Sequence, residues 1–210
     1  MADDPDLESA YALETPEDNL RLYRAWADTY DADFVTATSY RFPEVVTRTY
    51  LDAGGGWSCL DVGCGTGALA ERFPRDAVID GLDLSPEMLA VAGQKGLYRN
   101  LIEANLKLPL ALPDAAYAGL VSSGTFTHGH VGAEPLPELV RVMAPGAVAV
   151  ISVKPKVWDD GGFEAAFADL SGKGLISQPE IAEEKVYSDP DRAPEGHGQD
   201  TGLIVTFHRL

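Results

Sequence analysis

Two carboxylates set around a run of glycines are the groups in this chain best suited to hold a polar small molecule. Asp61 precedes Gly63, Gly65 and Gly67 in Leu60-Asp-Val-Gly-Cys-Gly-Thr-Gly67, and Asp83 lies twenty positions after Gly63. Glycines at alternate positions have no Cβ to forbid positive φ or to hold a ligand away from the backbone. A carboxylate at that distance along a strand–turn–helix unit is placed to accept hydrogen bonds from both hydroxyls of a ribose. An acid two residues before the first glycine repels phosphate and attracts an ammonium, directly or through water. The spacing is GxGxG, not the GxGxxG of a dinucleotide fingerprint, and no GxxxxGK[ST] run occurs. Both facts speak against a phosphate cradle and for a different adenosine-containing ligand.

Strands must carry these acids. Residues 57–62 follow the breaker Gly54-Gly55-Gly56 and read as a buried parallel strand, and 77–82 read as a second that ends at Asp83. Ala68, Leu69, Ala70 and Phe73 predict a short helix ending near Pro74. Ser85 and Pro86, an N-cap and a first-turn proline, predict a helix over 86–94. In an open α/β sheet, ligands bind where such strands end. Cys59 and Cys64 are the only cysteines, too few for a disulfide framework and without metal-ligand spacing, which points to a reducing compartment. Cys64, between two glycines, reads as a small packing residue and not a nucleophile.

Together these motifs resemble the cofactor site of class I S-adenosylmethionine-dependent methyltransferases, over roughly residues 57–153. Leu101-Ile-Glu-Ala-Asn-Leu106 resembles the family's third strand, with Asn105 where many members carry an Asp that receives the adenine amino group. The proline-rich stretch 108–117 resembles the approach to the fourth strand, except that Tyr117 is followed by Ala118 where an acid is usual. Residues 142–153 resemble the helix, Pro-Gly turn and fifth strand. A helix over 163–170 and strands over 181–187 and 202–208, joined by the loop 188–201, complete the pattern. The resemblance implies an α/β, Rossmann-like class I methyltransferase fold, a mostly parallel seven-stranded sheet with a C-terminal antiparallel hairpin and helices on both faces. It implies S-adenosyl-L-methionine as cofactor, S-adenosyl-L-homocysteine as product, and a site made of Asp61, Gly63, Gly65, Asp83, Leu84, Met88, Asn105, Leu106 and Ser122.

Residues 1–53 read as a helical cap or lid ahead of a methyltransferase domain over 54–210. Leu20, Tyr23, Trp26, Ala27 and Tyr30 recur at three- and four-residue intervals, the apolar face of one helix. Trp26-Ala27, Tyr30-Asp31, Asp33 and Tyr40-Arg-Phe-Pro43 resemble the corresponding segment of the methyltransferase-like proteins of the Williams-Beuren region. That resemblance implies a lid contact to cofactor or substrate from Tyr30; Trp26 is a further candidate for the cofactor site, beside the reading that it and Tyr23 pack on the domain. Arg41 is a candidate partner of the cofactor carboxylate, beside its reading as an exposed solubilising arginine.

His128 and His130 follow the fourth strand and are the candidates for a general base or for acceptor binding, since a neutral imidazole is available near pH 7. Polar filler, and two ligands of a metal, are the other readings of the same pair. The formal net charge of −17, without a cluster of Lys and Arg, excludes a general nucleic-acid binder. The family's Asn/Asp-Pro-Pro-Tyr/Phe motif is absent after strand four, which favours a small-molecule acceptor. With an acidic N-terminus and no apolar stretch near the roughly twenty residues of a membrane span, the expected location is cytoplasmic. A monomer is compatible with the sequence. The competing functions are a non-catalytic S-adenosylmethionine or S-adenosylhomocysteine binding module and, against the glycine spacing, a nicotinamide-dependent oxidoreductase.

Overall fold

The structure is a computed structural model that describes residues 36–127 and 131–210. Seven strands form one sheet: β1 (Cys59–Val62), β2 (Ile79–Asp83), β3 (Asn100–Glu103), β4 (Tyr117–Phe126), β5 (Met143–Val153), β6 (Glu180–Lys185) and β7 (Thr201–His208). Their order is β3-β2-β1-β4-β5-β7-β6. The first five run parallel, and β7 pairs antiparallel with both β5 and β6. The mostly parallel sheet with its C-terminal hairpin is therefore present as expected.

Burial explains the strand sequences. Every residue of β1 is buried, which only an apolar run tolerates, so the single carboxylate it carries stands out. The hairpin's outer strand β6 is exposed and reads Glu-Ile-Ala-Glu-Glu-Lys, charges that guard an open edge against pairing with another chain. On one face of the sheet packs helix α1 (Phe42–Asp52), through Phe42, Val45, Val46 and Tyr50, against Cys59, Val121, Val148 and Val150. Helix α2 (Pro86–Gln94) lies along β2 and β3. On the other face, α3 (Leu136–Val142) and α5 (Phe163–Gly172) bury Leu139, Phe163 and Phe167 against Leu60, Leu120 and Ile151. The short α4 (Pro155–Asp160) follows β5.

Three local expectations differ. The first strand begins at Cys59, because Trp57 lies outside the sheet and sets its ring edge-on against Phe73. The helix expected over 68–73 is a single 3-10 turn, Ala70–Arg72, since Gly67 at positive φ and Pro74 leave space for no more. Pro145-Gly146 does not separate helix from strand but sits within β5. There the pairing steps from Tyr117↔Met143 to Gly119↔Val148, a bulge that Gly146 accommodates at a φ of 83°.

At the strands' N-terminal end, the carboxylate missing after Tyr117 is replaced from another strand. The Tyr117 hydroxyl donates to Asp80 Oδ2 at 3.0 Å, and Arg99 grips the same carboxylate at 2.9 and 2.7 Å. At the opposite end the chain leaves β1 toward β2 and leaves β4 toward β5, so the two loops diverge and open a crevice. No helix among the described residues is long and apolar enough to cross a membrane.

Candidate functional site

The crevice lies beyond the C-terminal ends of β1, β2 and β4, and its floor is the glycine loop. The N–H groups of Gly63 and Cys64 both donate to the Leu82 carbonyl, at 2.7 and 3.0 Å, which ties the loop to β2. Gly63 has a φ of 68°, and a Cβ there would stand 2.1 Å from Thr125 Oγ1. Its lack of a side chain lets the end of β4 close against the loop. Gly65, at a φ of 52°, has nothing within 4 Å of where its Cβ would be and lines the crevice. Here the missing side chain leaves room for a ligand to touch the backbone.

Asp61 and Asp83 line the same crevice in different environments. Asp61 is 1% exposed; its Oδ2 accepts the Tyr98 hydroxyl at 2.7 Å, while Oδ1 has no hydrogen-bond partner among the described residues. Burial raises its pKa to about 7; the Tyr98 bond pulls it down and the charge of Asp83 pushes it up. Asp83 is half-buried at the end of β2. Its Oδ1 accepts the Ser85 N–H at 2.9 Å and its Oδ2 the Gly65 N–H at 2.8 Å. Loss of solvent raises its pKa, and these backbone donors oppose the rise. Each Asp83 oxygen keeps lone-pair capacity for a further donor.

Between the acids and β3, Leu84, Met88 and Leu106 form an apolar wall, and Ser85 caps α2 by accepting the Met88 N–H at 3.2 Å. Asn105 lines the crevice, but its Oδ1 already accepts the Lys107 N–H at 2.9 Å. The oxygen expected to receive an adenine amino group is therefore shared with a local turn, and its second lone pair is what remains for a ligand.

Two expected contacts are not in the crevice. Ser122 is fully buried beneath it and donates to the Val62 carbonyl at 2.7 Å; Ser123, Gly124 and Thr125 line the crevice in its place. The strand's alternation turns Ser122 into the core and its neighbour out. Arg41 pairs with Glu184 on β6 at 3.5 Å, because its own N–H is tied to the Val186 carbonyl beside that edge. Trp26, Tyr30, His128 and His130 lie outside the described residues.

Other residues enter the site without having been singled out for it. Tyr40 and Pro43 form one wall, with Tyr40 Oη 3.5 Å from Ser123 Oγ. Tyr40 was legible only as part of the Tyr-Arg-Phe-Pro pattern. Tyr98 carries no local signal, since it meets Asp61 across 37 positions of chain. Cys64 is buried at the crevice wall, and that burial, with the charges of Asp61 and Asp83, raises its thiol pKa well above the ordinary value, which disfavours the thiolate a nucleophile needs. Among the described residues no group of three or more His, Cys, Asp or Glu side chains could hold a metal ion.

The donor set can be weighed against S-adenosylmethionine. A buried carboxylate with one oxygen unpartnered among the described residues suits an ammonium, a second carboxylate with spare lone pairs suits a ribose diol, and an open glycine backbone and an apolar wall suit the rest of an adenosine. The single 3-10 turn after the loop offers no helix terminus for a pyrophosphate. The residues present fit this cofactor.

Comparison with known proteins agrees. The methyltransferase-domain family matches residues 60–151. Methyltransferase-like protein 27 of Homo sapiens is 31% identical over 153 residues, 70% of this chain and 62% of that protein. Demethylmenaquinone methyltransferase of Thermus thermophilus is 38% identical over 100 residues, 44% of each. The chain thus spans less than two thirds of the length of these curated relatives. Among solved structures, a SAM-dependent methyltransferase from Thermotoga maritima superposes with a TM-score of 0.62 at 14% identity, covering 91% of this chain and 99% of that one, a likeness of fold. Family and fold imply S-adenosylmethionine as the cofactor. Residues 60–151 thus match the methyltransferase-domain family, on a fold shared with S-adenosylmethionine-dependent methyltransferases.

Proposed function

We propose that the protein is an enzyme that transfers a methyl group from S-adenosylmethionine to a small-molecule acceptor. The observation that carries this reading is the pair Asp61 in β1 and Asp83 at the end of β2 beside one glycine loop, the first with a buried oxygen that has no hydrogen-bond partner among the described residues. The bound cofactor would supply a methyl carbon on a sulfonium: the acceptor's lone pair forms the new bond to carbon while the carbon–sulfur bond breaks toward sulfur. The chain's part is to orient and to shield. Asp61 would hold the ammonium, Asp83 the diol, and Leu84, Met88 and Leu106 would flank the base, with Asn105 receiving its amino group. Fixing both reactants in line supplies much of such a reaction's acceleration.

The acceptor would enter beside Tyr40, Ser123 and Thr125, a wall of hydroxyls among apolar groups. His128 and His130 fall in sequence between Thr125 and Val131, both of which line the crevice. This supports them as the bases that take the proton of an alcohol, phenol or amine acceptor. The relative named for demethylmenaquinone supports a small acceptor over a macromolecule, as does the net charge of −17. The test is incubation with methyl-labelled cofactor and a panel of quinols, phenols and amines, followed by a metabolite extract. A labelled product is expected. Cofactor binding without label in any product would replace the enzyme by a binding module.

A further inference from the structure

Tyr98 stands outside the crevice, yet its hydroxyl is the hydrogen-bond partner of the site's most buried acid, at 2.7 Å from Asp61 Oδ2. The ring is half-buried between two elements that both yield to it. A Cβ on Gly67, at the end of the glycine loop, would lie 3.1 Å from Tyr98 Cε2, and one on Gly81, in β2, 3.0 Å from Cδ1. Either is tighter than ordinary contact, so the ring packs closely against both elements where they lack a side chain. Loss of solvent, then the charges of Asp61 and Cys64, hold the phenol well above its usual pKa, so Tyr98 remains a neutral donor. One carboxylate oxygen is engaged by Tyr98, while the other, on a residue lining the crevice, has no hydrogen-bond partner among the described residues.

We propose that Tyr98 is a positioning residue for the amino-acid end of the cofactor: its hydroxyl fixes the Asp61 carboxylate through Oδ2 and leaves Oδ1 to receive the ammonium. This rests on the S-adenosylmethionine reading above. A carboxylate already fixed in its binding orientation gives up less freedom when the ligand arrives. The titratable groups that face Asp61 among the described residues are Tyr98 from the segment before β3, Cys64 from the glycine loop, Cys59 two positions before it on β1 and Asp83 from the end of β2. Among them the Tyr98 bond favours the charged carboxylate and the charge of Asp83 opposes it. Removing the hydroxyl should both loosen the carboxylate and move its titration to higher pH.

The experiment measures binding of S-adenosylhomocysteine, which has the ammonium, and of 5′-methylthioadenosine, which lacks the amino-acid end, to the full chain and to Tyr98→Phe between pH 6 and 9. Tyr98→Phe should weaken S-adenosylhomocysteine about tenfold, the scale of a hydrogen bond to a charged group, and leave methylthioadenosine unchanged. The pH at which half the S-adenosylhomocysteine affinity is gained should rise. Added to Asp61→Asn, the same substitution should cost nothing more. Equal losses for both ligands would mark Tyr98 as mere packing and overturn the proposal, as would unchanged affinity for both. Should Tyr98→Phe fail to fold, Tyr98→Phe/Asp61→Asn, which leaves no buried charge unpaired, serves in its place. Its affinities must then match those of Asp61→Asn, and a further loss of S-adenosylhomocysteine would overturn the proposal. Failure of the wild-type chain to bind either ligand would instead strike the cofactor reading itself, and this inference with it.

Discussion

The Gly65 N–H donates to Asp83 Oδ2 at 2.8 Å, so the acid that ends β2 also holds the loop that follows β1. Its other oxygen holds the Ser85 N–H at the start of α2. Asp83→Ala should therefore lose the diol's acceptor and slacken the loop together, weakening S-adenosylmethionine by about 1–3 kcal/mol. Titration calorimetry reads this directly, and an affinity equal to the wild type would remove Asp83 from the cofactor site.

Gly63 and Thr125 give a prediction about stability. An alanine at Gly63 would sit in left-handed backbone, at about 1–2 kcal/mol, and would press on the Thr125 side chain. Gly63→Ala should lower the unfolding temperature clearly, and Thr125→Ala added to it should recover only a part of the steric cost, since the Cβ at position 125 would itself stand 2.9 Å from the new methyl. A Gly63→Ala chain as stable as the wild type would contradict the close approach of the glycine loop to the end of β4.

The buried carboxyl of Asp61 makes binding depend on pH. Its pKa is raised from 3.8 to about 7, and only the charged form attracts an ammonium. Affinity for S-adenosylmethionine should climb as pH rises from 6 to 8, with a proton released on binding, seen as a dependence of the binding heat on buffer ionisation. The free protein should behave oppositely. A carboxyl that holds its proton more tightly when folded stabilises the fold fully below pH 3.8, and that contribution is lost as pH rises through about 7. Asp83, also raised, acts in the same direction. A binding curve flat across this window would mean that Asp61 is charged throughout.

How much of this was legible in the sequence follows a physical line. The glycine loop, both acids and the bounds of α2 rest on local chemistry, that is, on backbone conformation, strand ends and a Ser-Pro helix start, and these are where they were expected. The 3-10 turn in place of a helix was hidden because propensity for so short a segment is overruled by its flanking Gly67 and Pro74. Ser122 was misplaced by one position of strand alternation, which only the register of β4 decides. Tyr98 and the Arg41–Glu184 pair come from contacts across long stretches of chain, which periodicity cannot reveal.

Ser122 itself offers a discriminating variant. Ser122→Ala removes a buried hydrogen bond to the Val62 carbonyl, which Thr125 Oγ1 still reaches at 2.9 Å. Stability should fall by about 1 kcal/mol with cofactor affinity unchanged. A selective loss of affinity at full stability would return Ser122 to the site.

Which ligand the crevice takes decides what the protein does. Titration of the full chain with S-adenosylhomocysteine at pH 8, set beside NADH, tests this most directly. Saturable binding at one site for the first and none for the second is the predicted result. No heat from S-adenosylhomocysteine with the protein folded, or saturable binding of NADH in its place, would contradict it.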